Sequence, residues 1–206
     1  MAEVTAAAEP RIELGIAGRA LGGAAQSGDL HIMVPHAGGV TVGLCDGIGH
    51  GAEAAEASLI AAETCLQNAG RPVAELILCC HEALRHSRGA VLSLACIDFA
   101  AGTVEWAGIG NVEAVLHRRS SHARRESLSL RGGVVGYQIP KPHVEVLPLS
   151  AGDVLVFASD GVAGNFMSVP PGELSAQELS DYLLDHHGKM TDDALVAVVR
   201  YVGIAS

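Results

Sequence analysis

Residues 39–51 read GVTVGLCDGIGHG, an apolar run of β type that stops at Asp46-Gly47 and passes into a loop with glycine at alternate positions. Just upstream, residues 29–34 (DLHIMV) form another β-type run, and the turn chemistry of residues 35–39 predicts a hairpin between the two. Downstream, residues 52–69 carry Ala, Glu, Leu and Gln with apolar positions at helical spacing, and Gly70 is expected to end that helix as its C′ residue. Pro72 suits a first helical turn, so a second helix is predicted to run to about residue 86. Two strands followed at once by two helices break the β-α-β alternation that a parallel sheet requires.

The remaining pattern agrees. Residues 90–99, 103–108, 112–117, 126–130, 143–147 and 153–158 read as short strands, and turns at Ala101-Gly102, Gly110-Asn111, Gly132-Gly133 and Ala151-Gly152 separate them. A third helix opens at Ser175-x-x-Glu178, a capping box, and runs to about residue 187 before a final β run at 194–202. Antiparallel sheets covered by helices, an α+β domain, follow from this order.

The chain has 206 residues, 13 Lys+Arg against 23 Asp+Glu, and a formal charge of −10. An acidic surface repels a phosphate backbone, and one Trp, three Tyr and three Phe offer few stacking platforms, so nucleic acid is excluded as a general partner. Mean hydropathy is +0.32, yet no stretch approaches the roughly 20 apolar residues of a spanning helix, and no membrane association is expected. Glu3, Glu9 and Glu13 replace the basic-then-apolar layout of a signal peptide, which predicts a cytoplasmic protein. Cys45, Cys65, Cys79, Cys80 and Cys96 are odd in number, lie in apolar segments and contain no C-x-x-C pair, so they read as reduced, buried thiols.

Chemistry concentrates in the aspartates. Asp46 (GLCDGIGHG), Asp160 (VFASDGV) and the pair Asp192-Asp193 (MTDDALVAVV) stand at boundaries of apolar runs, and Asp29 opens the first run of the hairpin. One Asp-Gly after a strand is ordinarily a turn. Several carboxylates at strand ends, held on a rigid sheet, are what hard divalent cations such as Mg²⁺ or Mn²⁺ require, and glycine beside them lets backbone come close.

The ordered set, DGIGHG after an apolar strand with GD upstream, SDG late and DD opening the last strand, resembles the PPM family of metal-dependent serine/threonine protein phosphatases. It is most similar to the SpoIIE-type branch and, within that, to short stressosome phosphatases; the likeness runs from about residue 12 to 202. The resemblance implies a four-layer α-β-β-α sandwich over residues 12–203, without the flap subdomain of larger relatives, after a loose segment 1–11. It also implies two Mn²⁺ or Mg²⁺ ions and hydrolysis by a metal-activated water without a covalent intermediate. Carried over by position, Asp46 would bridge the ions with the Gly47 carbonyl on one of them, while Asp160 and Asp192 would hold the other. Asp192 leads over Asp193 as the direct ligand, and Asp29 matches a position near the metals that acts through water. The implied partner is a phosphorylated stressosome scaffold or anti-sigma-factor antagonist, met by a monomer.

The sequence also departs from the pattern. Where many relatives carry His directly after DG, this chain has Ile48, and His50 two residues on is assigned to the surroundings of the site rather than to proton transfer. Arg19 is weighed both as a phosphate contact and as a solvated side chain. The stretch HRRSSHARRESLSLR from His117 reads as a protruding hairpin whose Arg118, Arg119, Arg124 and Arg125 are candidates for docking an acidic or phosphorylated partner. The glycine loop lacks the spacing and the Lys-Ser/Thr end of a nucleotide-binding loop, and Cys45 lacks the Arg of a cysteine phosphatase. A second functional class stays open: a pseudophosphatase that binds phosphoproteins without turnover.

Overall fold

A computed structural model describes residues 11–24, 26–120 and 125–203. Ten strands make two five-stranded antiparallel sheets. The first sheet has the order β1-β10-β9-β6-β7, from β1 (Ile12–Arg19), β10 (Ala194–Tyr201), β9 (Val154–Ala158), β6 (Glu113–His117) and β7 (Arg125–Ser127). The second runs β2-β3-β4-β5-β8, from β2 (Asp29–His36), β3 (Gly39–Gly47), β4 (Ala90–Asp98), β5 (Thr103–Ile109) and β8 (Glu145–Pro148). Between the sheets, alternate residues of both inner faces form a core around Leu44, Trp106, Leu116 and Phe157, with the Trp106 and Phe157 rings edge to face at 6.4 Å.

The helices close the outer faces. α1 (Ala52–Gln67) and α2 (Val73–Ala83) pack on the second sheet through Ala57, Ala61, Leu76 and Ile77. α3 (Ala176–His187) packs on β1 and β10 of the first sheet through Leu179 and Leu183, beside a short 3₁₀ turn (Gly164–Ser168) that buries Phe166. The four-layer α-β-β-α sandwich is therefore as expected. Small residues permit the close fit: Ala54, Ala57 and Ala61 form the buried stripe of α1 and let that helix lie near the backbone of the sheet.

Element boundaries follow the sequence pattern with local adjustments. The first helix stops at Gln67 with Asn68 as its cap, and Gly70 lies one residue beyond the C′ position while keeping a positive φ of 81°. Pro72 caps α2, contributing no amide to the unpaired first turn. The expected strand at 126–130 shortens to three residues, and its predicted hairpin with β6 forms in the register His117↔Arg125. Residues 1–10 of the segment expected to be loose, and Arg124, lie outside the described residues. All five cysteines are free thiols, three of them buried. No helix among the described residues is long and apolar enough to cross a membrane.

The capping box of α3 forms as the sequence predicts: Ser175 Oγ accepts from the Glu178 amide, and the Glu178 carboxylate accepts from the Ser175 amide at 2.8 Å. Replacing Ser175 by Ala removes that acceptor at a helix start, and urea denaturation is expected to show a loss of about 1 kcal/mol.

Candidate functional site

Five aspartates meet at one end of the sandwich, and the antiparallel register explains why. Asp29 opens β2 and Asp46 lies near the end of β3, so the pairing Asp29↔Asp46 sets them side by side. On the other sheet, β9 ends at Ala158 and β10 starts at Ala194; the pairing Val196↔Ala158 brings the following Asp160 and the preceding Asp192-Asp193 to the same end. Each sheet delivers its carboxylates through a strand end, where a rigid ladder gives way to a loop.

These residues differ in what their oxygens do. Asp193 is buried and both its oxygens are taken: the Leu21 and Gly28 amides donate to them at 2.7 Å each. Asp29 is also buried, and accepts from the Ser159 hydroxyl at 2.6 Å, while Ser159 Oγ accepts from the Leu195 amide at 3.0 Å. Asp192 is half-buried and holds the Asp193 amide through one oxygen. Asp160 is exposed, accepts from Asn111 Nδ2 at 2.8 Å, and has its backbone carbonyl held by Lys189 Nζ at 2.6 Å. Asp46 is half-buried, and among the described residues none donates a hydrogen bond to its carboxylate.

The electrostatic cost is visible at the hairpin pair. Burial first, then the neighbouring carboxylates, Asp29 foremost, push Asp46 up to about 8. Asp29 is pushed up to about 7, again mainly by burial, with the Ser159 hydrogen bond pulling the other way and Asp193, Asp160 and Asp192 adding to the rise. Such a set is uncomfortable without protons or cations, and its all-oxygen chemistry suits hard divalent ions. Among the described residues, however, no three His, Cys, Asp or Glu side chains already converge as a closed metal site.

Two glycines fit the backbone together here. A Cβ on Gly47 would fall on the Ala54 carbonyl of α1, and one on Gly161 would fall on the Asp193 carbonyl. The glycines after Asp46 and Asp160 are thus required for packing α1 and the β10 entry against the site, and the Gly47 carbonyl lies 3.3 Å from the position a Cβ on Gly28 would take.

The other sequence candidates fall elsewhere. His50 is exposed on the loop before α1. Arg19 ends β1 at this end of the sandwich, but its guanidinium donates to the Lys189 carbonyl at 2.8 Å, which makes it a brace for the Lys189 loop. The basic hairpin lies at the opposite end: β6 and β9 pair with His117↔Val154 at one end and Glu113↔Ala158 at the other, so Arg118 stands roughly 20 Å from Asp160. Arg118 is moreover committed internally, pairing with the buried Asp153 at 2.9 Å and with Glu126 at 2.8 Å. The Arg119 amide also donates to Asp153, and Arg125 binds Ser168 Oγ at 2.7 Å. Arg118 and Arg119 also line a cavity of about 590 Å³ remote from the carboxylates, so docking by these arginines remains a proposal for a surface away from the candidate site. Sequence reasoning missed Ser159, Asn111 and Lys189. The Ser directly before Asp160 in the SDG string was the one available signal.

The model of the Stage II sporulation protein E (SpoIIE) family matches residues 36–203. The chain belongs to the SpoIIE family. No curated protein matches the chain. Among solved structures, a chain from work on the bacterial stressosome as a modular system adapted to control secondary messenger signaling is 28% identical, with a TM-score of 0.84 over 93% of this chain and 100% of that one. RsbX in complex with magnesium is 22% identical, with a TM-score of 0.82 over 92% of this chain and 94% of that one. The PP2C phosphatase domain of SpoIIE from Bacillus subtilis, solved with a fragment of its regulatory domain, is 22% identical, with a TM-score of 0.72 over 92% of this chain and 63% of that one. This SpoIIE-family chain therefore has the PPM (PP2C-type) phosphatase fold, and the five aspartates sit where its two sheets meet.

Stability should report the strained carboxylates of the SpoIIE-type site directly. Because Asp29 and Asp46 hold protons in the folded state that the unfolded chain releases near its ordinary 3.8, their contribution is full below about pH 4 and is lost as pH rises through 7 to 8. In EDTA, the urea midpoint is expected to fall from pH 5 to pH 8 by the equivalent of about 2 kcal/mol, the two carboxylates titrating as a pair that keeps some solvent contact. Asp46→Asn should flatten that slope, and a slope unaltered by it would count against the coupling.

Proposed function

We propose that this chain is a phosphoprotein phosphatase that hydrolyses phosphoserine and phosphothreonine with the help of two Mn²⁺ or Mg²⁺ ions. The observation that carries the reading is Asp46: a half-buried carboxylate with no hydrogen-bond donor among the described residues, pushed up to about 8 amid four other carboxylates. Protein structure of this kind is unfavourable unless a bound cation completes it. The family and the fold support the same reading.

The residues divide the work by the state of their oxygens. Asp46, free on both oxygens, would hold the ions together with the Gly47 carbonyl, Asp160 and Asp192. Asp193, whose oxygens are already held by the Leu21 and Gly28 amides, acts as the clamp that positions Asp192. Asp29, held by Ser159, would reach the ions through water. When bound, the cations neutralise the phosphoryl oxygens and acidify the attacking water. Solvent would supply the proton to the departing seryl or threonyl oxygen, since His50, the nearest histidine in the loop, is exposed.

We further propose a substrate among stressosome scaffold proteins or anti-sigma-factor antagonists, met in the cytoplasm by a monomer, whose dephosphorylation resets stress signalling; the likeness to a structure from stressosome work and to RsbX supports the stressosome part of that reading. A second reading, a phosphoprotein-binding pseudophosphatase, is favoured by one observation, the lack of three converging ligands among the described residues. Turnover separates them. Hydrolysis of p-nitrophenyl phosphate should need Mn²⁺, stop in EDTA, and fall at least about 100-fold in Asp46→Asn, the scale on which one preorganised electrostatic group acts. Phosphopeptide binding with no metal-dependent turnover would install the second reading instead.

A further inference from the structure

A cleft of about 250 Å³ opens directly beside the Asp46 loop. Its walls are Ile48, the α2–β4 turn with Arg85, Ser87 and Arg88, and the turn at residues 134–137 that ends in Tyr137. Its attachment to the candidate site is close. The Ile48 amide donates to the Gly89 carbonyl at 3.0 Å, and a Cβ on Gly49 would lie 2.8 Å from Arg88 Nη1. The guanidinium of Arg88 therefore rests over the DGIGHG loop itself.

The lining combines two cations with two exposed apolar side chains and includes no carboxylate. Tyr137 is 84% exposed and Ile48 38%, so two apolar side chains stand open to solvent beside the two guanidinium groups. Arg88 pairs with Glu53 of α1, and Arg85 with Glu82 at 3.2 Å, but all four side chains are about half exposed or more. Ion pairs of that kind contribute about 0–1 kcal/mol, so exchanging Glu53 or Glu82 for an incoming anion costs little. A guanidinium presents a planar fork that accepts such an exchange bidentately.

Resting on the phosphatase reading, we propose that this cleft is the docking site for the substrate segment beside the phosphoresidue, and that Arg85 and Arg88 select segments carrying acidic residues there. Reach supports the assignment. Ile48 is two residues from Asp46, about 7 Å of chain, and a substrate in extended conformation sets its next two or three residues at about 7–10 Å from the phosphate. Tyr137 and Ile48 then cover an apolar side chain of the same segment, while the remote basic hairpin takes no part.

The test uses the full chain with Mn²⁺ and fluorescent peptides in which a non-hydrolysable phosphonate replaces phosphoserine, flanked either by two Glu or by two Lys. Anisotropy is expected to show the Glu-flanked peptide binding about tenfold tighter, with the difference shrinking at high salt. Arg85→Glu/Arg88→Glu should abolish or invert the preference, whereas Arg85→Lys/Arg88→Lys should retain most of it, separating charge from damage to the fold. Glu53→Gln, which frees Arg88, should tighten the Glu-flanked peptide alone, and Tyr137→Ser should weaken both peptides alike. Equal binding of the two peptides, or an unchanged preference in the charge-reversed protein, would overturn the proposal. Turnover of the corresponding phosphoserine peptides tests the underlying reading separately. Preference without turnover would keep the cleft and refute the phosphatase, and turnover without preference would do the reverse.

Discussion

The two sheets are joined at their carboxylate end by hydrogen bonds made to charge. Asp193, entering β10 of one sheet, accepts amides from Leu21 and from Gly28, the latter at the entry to β2 of the other. Ser159, leaving β9, links the Leu195 amide to Asp29 in β2. A hydrogen bond to a charged group contributes about 1.5–3 kcal/mol. Two carboxylates about 5 Å apart repel by about 3 kcal/mol at an effective dielectric of 20. Such bonds oppose that repulsion and help the fold hold Asp29 next to Asp46. None of these bonds reaches Asp46, so the strain is gathered on its carboxylate.

Much of this was legible because it is local. Strand, hairpin and helix order follows from periodicity and turn chemistry over windows of a few residues, and each aspartate announced itself by standing at a run boundary beside glycine or another aspartate. The capping box of α3 was read correctly for the same reason, since donor and acceptor lie three residues apart. β1 was not read as an element of its own because Gly15 and Gly18 interrupt its pattern. Gly15 is there because α3 crosses so near that a Cβ would fall on the Ala176 carbonyl, a fact of tertiary packing with no local trace.

The partners of the site were hidden by distance along the chain. Ser159 reaches Asp29 across 130 positions and Asn111 reaches Asp160 across 49. That Asp193, and not Asp192, accepts the Leu21 and Gly28 amides was equally beyond the local sequence. The pairing inside the basic hairpin was hidden for a related reason. Composition can count arginines but cannot see that Arg118 faces Asp153, a carboxylate only 1% exposed that would be intolerable there without it.

Selectivity in such a site has to come from outside the ring of carboxylates. The 31 residues between Asp160 and Asp192 include the 3₁₀ turn and α3, and α3 lies on the outer face of the first sheet. Lys189 of that stretch reaches the Asp160 carbonyl, and under the proposed function a phosphate at the carboxylates would be gripped by charge, which every phosphoester offers alike. A net charge of −10 makes the problem sharper, because an acidic phosphoprotein approaches against the general field. Discrimination among phosphoproteins then requires a positive, partly apolar surface within a few residues' reach of the reacting group. Among the described residues, the turn that ends α2 supplies one at that distance, and it lies against the same glycine loop that carries Asp46.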